Sequence, residues 1–135
     1  MLAPGHRGAD RRPVRAVVCD DVREFRLLLR LELEEGDAIE VVGEAADGLA
    51  AVEAIETLRP DVAIVDLVMP GLDGLEVVRR ARRALPGVRL IVLSGLHASV
   101  MEEPAVKHGA DRYVEKGEPL PTLRCAVLQL AGACE

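Results

Sequence analysis

Val62-Ala63-Ile64-Val65-Asp66-Leu67-Val68-Met69-Pro70-Gly71-Leu72-Asp73-Gly74 is the stretch on which the fold is read. Its first part, Val62–Asp66, is apolar on both alternating faces, as a central strand buried on both sides must be. Pro70-Gly71 and Asp73-Gly74 then mark a loop, and Leu75–Leu85 follows with helical spacing.

The same alternation extends in both directions. Upstream, Val14–Cys19 reads as a strand ending abruptly at Asp20-Asp21. Val22–Glu35 reads as a helix, with Leu27, Leu28, Leu31 and Glu32 at helical spacing and Gly36 as its stop. Ile39–Ala45 is strand-like, and Leu49–Leu58 is a helix that ends before Pro60. Downstream come a strand at Arg89–Ser94, a less regular segment to His108, a short strand near Arg112–Glu115, and a last helix from Leu120 to about Ala131. Five strands alternating with five helices predict one doubly wound α/β domain, with a five-stranded parallel sheet and right-handed crossovers. The domain is expected over residues 14–131, between a leader of 1–13 and a tail of 132–135.

A chain of 135 residues suffices for one such domain. With half its residues hydrophobic and 30% charged, it is globular rather than disordered in composition. One Tyr, one Phe and no Trp leave no aromatic platform for single-stranded nucleic acid. A net charge of −6 argues against direct binding to phosphate backbones. No stretch is long and apolar enough to span a membrane, and residues 1–13 lack the apolar core of an export signal. Cys19, Cys125 and Cys134 show no metal spacing and read as reduced thiols of a cytoplasmic chain, Cys19 as a small buried hydrophobe.

In open parallel sheets, ligands sit beyond the carboxyl ends of the strands. Asp20, Asp21, Asp66, Ser94 and Lys116 all end strands here, and so converge on one edge. Three clustered carboxylates repel one another by on the order of 4 kcal/mol per pair at about 4 Å and an effective dielectric near 20. Such a cluster takes up protons or binds a cation, and hard oxygen ligands favour Mg²⁺. Lys116 and Ser94 add a fixed positive charge and a hydroxyl. Together they describe a receptor for a phosphoryl group, with a carboxylate able to act as nucleophile.

The segments Val17-Val18-Cys19-Asp20-Asp21, Asp66 to Gly74, Ser94-Gly95 and Gly109 to Lys116 resemble the receiver domains of two-component response regulators. Val41-Val42-Gly43-Glu44-Ala45 is further similar to receivers of the NarL/LuxR type, which implies transcription regulation. The resemblance implies a flavodoxin-like fold and a role for each matching residue. Asp66 would accept a phosphoryl group from a histidine kinase or phosphotransfer protein. Asp21 would ligate Mg²⁺ directly, Asp20 mostly through water, Val68 through its backbone carbonyl, and Asp66 would be a metal ligand as well. Ser94 and Lys116 would contact the phosphoryl oxygens, and Tyr113 would change rotamer with Ser94 when it is not simply a half-buried ring. Such a domain is no turnover enzyme; it assists its own phosphotransfer and dephosphorylation. It would pass its state to a protein partner, or to the output domain of a longer regulator, with self-association left open.

Three departures from the family pattern carry expectations. Gly117 stands where many receivers have Pro, so the peptide should be trans and Lys116 held less rigidly. Pro104 should leave the fourth helix short, late-starting or kinked. Val68 offers no polar group to orient water, which predicts slow self-dephosphorylation. Arg23, Arg26 and Arg30 share one face of the first helix, which in receivers lies near the kinase docking surface, and read more readily as a solvated stripe. Arg79, Arg80, Arg82 and Arg83 read as solvated too, with Glu76 as i,i+4 partner of Arg80. His6, His97 and His108 read as surface residues. Two other functions use the same residues: a Mg²⁺-dependent phosphatase with an aspartyl nucleophile, and a receiver-like interaction module without phosphotransfer.

Overall fold

The computed structural model describes residues 12–133. The expected leader therefore lies almost wholly outside the described residues, as do His6 and Cys134. The elements run β1 (Val14–Cys19), α1 (Arg23–Glu34), β2 (Ile39–Ala45), α2 (Gly48–Leu58), β3 (Val62–Val65), α3 (Gly74–Ala84), β4 (Arg89–Ser94), α4 (Ala98–His108), β5 (Arg112–Glu115) and α5 (Leu120–Leu130). All strand pairings are parallel, in the order β2-β1-β3-β4-β5. This is the flavodoxin-like (βα)5 architecture the alternation predicts.

Strand periodicity sorts the core into two layers. Val14, Ala16 and Val18 of β1 join Ile64, Ile91 and Val114 beneath α1 and α5. Val17 and Cys19 join Ala63, Val65, Leu90 and Val92 beneath α2, α3 and α4. β2 changes phase on the way: Ala16 pairs with Val41 but Val17 with Gly43, so Val42 is an extra residue. This bulge puts Glu44 on the α1 side and Ala45 in the opposite layer.

Two helices show what apolar spacing and the proline left open. In α1 the buried residues are Leu29 and Leu33, whereas Leu27, Leu28 and Leu31 are exposed. A leucine-rich helix offers several apolar stripes, and the sheet selected another. The fourth helix is neither short nor late-starting: it spans 11 residues from Ala98 with Pro104 inside. Pro104 has no N–H to give the carbonyl one turn back, and the helix continues without that bond.

Candidate functional site

The sheet ladder continues one residue past three strands and so aims their successors. The amide of Asp66 donates to Cys19 O at 2.9 Å, that of Asp20 to Ala45 O at 3.0 Å, and that of Lys116 to Ser94 O at 2.8 Å. β1 lies between β2 and β3, and the order of connection reverses there. The carboxyl ends of β1 and β3 therefore open the crevice such sheets use for ligands. Asp20 and Asp66 line it, both buried, with Asp21 exposed beside them.

Carboxylate oxygens of Asp20, Asp21 and Asp66 lie within 4.8 Å of one another. Asp20 spends one oxygen on the Val22 amide at 2.9 Å and the other on Lys116 Nζ at 2.7 Å. Asp66 accepts from the Val68 amide at 3.3 Å and from Lys116 Nζ at 3.1 Å. Burial raises the Asp66 carboxyl above its ordinary value, and the Val68 amide and Lys116 pull it part of the way back. Burial works against the Lys116 ammonium too, but its bonds to Asp20 and Asp66 outweigh that and raise it. Lys116 thus stands in for the positive charge that three converging carboxylates require. Their all-oxygen donor set fits a small hard cation such as Mg²⁺.

The loop after β3 owes its shape to alternation and to two glycines. Leu67 and Met69 tuck into the α2–α3–α4 layer, and Val68 points outward, 61% exposed. A side chain on Gly74 would put its Cβ 2.3 Å from Asp66 O, and one on Gly48 would meet Leu72 O at 2.0 Å. Both glycine amides donate into the loop, Gly74 to Leu67 O and Gly48 to Pro70 O. The Asp73-Gly74 pair therefore seats Asp66 and, through the Asp73 side chain on the Glu76 amide, starts α3.

Ser94 is fully buried, and its Oγ accepts from the Leu96 amide at 3.2 Å. Tyr113 is more deeply buried than half, with its hydroxyl donating to Leu96 O at 2.6 Å. Two residues along the same strand face, Glu115 accepts from the Ala98 amide at 2.8 Å. Glu115 thus caps α4, whose own N-cap His97 makes no side-chain capping bond.

Several arginines expected in solvent are bound instead. Arg26 donates to Asp20 O at 2.7 Å and to Glu44, and Arg30 also reaches Glu44 at 2.7 Å. These bonds, Arg30's first among them, hold the Glu44 carboxyl below its ordinary range. Arg82 donates to Val88 O, Pro86 O, Gly109 O and Asp111, tying the far ends of α3, β4 and α4 together. Glu76 pairs with Arg79 as well as with the expected Arg80. His97 is exposed, and His108 is half-buried against Pro104 O. Cys19 is buried as expected, and burial pushes its thiol up to about 12. No cis peptide occurs among the described residues, and Lys116 reaches both carboxylates despite Gly117. Phe25 was missed altogether: its ring lies under Lys116, and nothing local in the sequence marks it.

Comparison with known proteins agrees with this geometry. The response regulator receiver domain family matches residues 16–128. A protein-glutamate methylesterase/protein-glutamine glutaminase of Myxococcus xanthus is 42% identical over 83% of this chain and 32% of its own. The chemotaxis protein CheY of Thermotoga maritima is 30% identical over 76% of this chain and 84% of its own. The signal receiver domain of NarL from Mycobacterium tuberculosis superposes with a TM-score of 0.83 at 36% identity, covering 89% of this chain and 97% of that one. The chain belongs to the response regulator receiver domain family, and its similar chains include NarL/LuxR-type receivers. It spans between 27% and 49% of the length of four curated relatives it matches. Among the described residues no helix is long and apolar enough to cross a membrane.

Proposed function

We propose that this chain is a phosphoacceptor receiver, phosphorylated on Asp66 by a sensor histidine kinase or phosphotransfer protein. The P–N bond of the donor phosphohistidine breaks as a P–O bond to an Asp66 carboxylate oxygen forms, and the imidazole leaves with the electron pair. Asp20, Asp21 and Asp66, with the Val68 carbonyl, would hold Mg²⁺, which neutralises charge on the phosphoryl oxygens when bound. Lys116 exchanges its bond to the Asp66 carboxylate for one to a phosphoryl oxygen. Ser94 turns its hydroxyl the same way and releases the Leu96 amide.

The new charge, up to about −2, draws the β4–α4 loop inward and biases two arrangements already accessible to the chain. Tyr113 loses its present acceptor as Leu96 moves. The α4–β5–α5 face then presents a different surface to a downstream partner or to an output domain. Likeness to NarL supports transcription regulation as the output. The methylesterase relative supports a receiver that governs other outputs as well.

The observation that carries this reading is a buried Asp66 whose oxygens lie beside two further carboxylates and 3.1 Å from a lysine ammonium. Incubation with acetyl phosphate and Mg²⁺ should add one base-labile phosphoryl group at Asp66 by mass spectrometry. Asp66→Asn should not label; equal labelling of that variant would end the proposal. With Val68 exposed and apolar, the phosphate should persist for minutes or longer, and Val68→Asn should speed its loss by about an order of magnitude. A half-life of seconds in the parent would contradict this. The same residues would serve an aspartyl-nucleophile phosphatase, which turnover of a generic phosphoester would reveal.

A further inference from the structure

Among the described residues Lys116 is the one group that touches both Asp20 and Asp66; its backbone amide is fixed on Ser94 O at 2.8 Å, which leaves the place of Nζ to the side chain's own contacts. It follows the last residue of β5, and the next residue, Gly117, is exposed with nothing within 4 Å of where a Cβ would stand. A lysine stem with four rotatable bonds is not held in one place by its backbone alone. Yet Nζ is held, by the two carboxylates and by a third contact: it stands over the Phe25 ring, 4.6 Å from the centroid. That lies within the range in which an ammonium is attracted to an aromatic face.

The ring is a fixed support. Phe25 sits in the first turn of α1 and packs, half-buried, against the layer beneath α1 and α5. The next residue, Arg26, binds Asp20 O, so the same turn holds the acid side of the pocket.

We propose that Phe25 is the positioning residue for Lys116, its ring fixing the ammonium at the phosphoryl position, which the backbone bond of Lys116 leaves undetermined. The argument rests on the reading of Asp66 as phosphoacceptor, and it separates the three contacts by what happens to them. Asp20 and Asp66 hold Nζ only while their oxygens are free for it. A cation or a phosphoryl group competes for those oxygens, whereas the ring has no such competitor. Phe25 therefore keeps the ammonium aimed into the pocket at the stage when its carboxylate contacts are withdrawn. By covering one side of Nζ it also excludes water, which strengthens the attraction to an anion.

The test uses Phe25→Leu, which removes the ring, and Phe25→Tyr and Phe25→Trp, which keep one. Beryllofluoride with Mg²⁺ serves as the phosphoryl probe, and its affinity is measured by titration calorimetry. Phe25→Leu should weaken binding about fivefold, and the two aromatic variants should stay within about twofold of the parent. In a Lys116→Met background, Phe25→Leu should produce no further loss. Without any phosphoryl probe, the Lys116 side-chain protons should show an upfield ring-current shift that Phe25→Leu abolishes and Phe25→Tyr retains. Equal beryllofluoride affinity in Phe25→Leu and parent would overturn the proposal, as would loss of equal size in the Lys116→Met background. The proton shift persisting without the ring would overturn it as well. Should the parent show the ring-current shift but never label at Asp66, Phe25 holds Lys116 as stated and the phosphoacceptor reading fails.

Discussion

α3 and α4 are neighbours of equal length, 11 residues each, and they are built to opposite specifications. α3 begins on a side-chain cap from Asp73, buries Gly74, Val77, Val78 and Ala81, and ends where Arg82 binds three backbone carbonyls and Asp111. α4 has no cap of its own, buries only Ala105, carries Pro104 in its interior, and leaves Val100 and Val106 exposed. Its start is held from outside, by Glu115 on the Ala98 amide and Tyr113 on Leu96 O. Few buried contacts and replaceable polar ones are the marks of low local stability. The contrast divides the pocket: α3 starts tight against the backbone of Asp66, and α4 starts in the segment after Ser94.

Substitutions break or sharpen this contrast in graded steps. Gly74→Val should do most, because its Cβ would stand 2.3 Å from Asp66 O. About 3 kcal/mol of stability should be lost in urea denaturation, and Mg²⁺ binding should weaken with it. Arg82→Met should cost about 2 kcal/mol, since the carbonyls it serves are left without donors. It should speed amide exchange in both helices, erasing much of their difference. Pro104→Ala should work in reverse, adding an N–H for Val100 O and stabilising α4 by about 1 kcal/mol. Slower exchange in α4 with α3 unchanged is the expected signature; no change in either would show that α4 owes its looseness to shallow burial alone.

Glu115→Gln should cost less, a few tenths of a kcal/mol, since an amide still accepts from Ala98 but without charge. Faster exchange at Ala98 is the measure. Smallest is a titration. Glu76 on α3 is held down to about 2 by Arg79 and then Arg80. A depressed carboxyl contributes above its ordinary value of 4.5 and loses that contribution as pH falls through about 2. Carboxyl chemical shifts should place the Glu76 midpoint near that lower value, and a midpoint at 4.5 would dissolve the pairing.

Much of this was legible beforehand, for local reasons. β1, β2, β4 and β5 run where the sequence reading puts them, and β3 ends one residue earlier, because each apolar run meets a turn or an acid. Asp20, Asp21 and Asp66 converge because each follows a strand of one parallel sheet, which the alternation alone implies. Lys116 and Ser94 reach the same edge by the same logic. The helix faces were not legible. Leu27, Leu28 and Leu31 make as good an apolar stripe as Leu29 and Leu33, and the choice depends on what the helix lies against. Arg26, Arg30 and Arg82 look like solvated charge because their partners, Glu44, Asp20 and Gly109, lie on other elements.

By itself, then, the order of residues determined the parallel sheet, the edge where its acids gather, and the chemistry open to them. Strand length, turn residues and strand-end positions are short-range properties, written within a few residues of one another. Only the tertiary structure decided that Lys116 rests on Phe25, that Glu115 caps α4, and that the helix continues through Pro104. Those outcomes depend on groups brought together from distant parts of the chain, where burial and competing partners outweigh local preference.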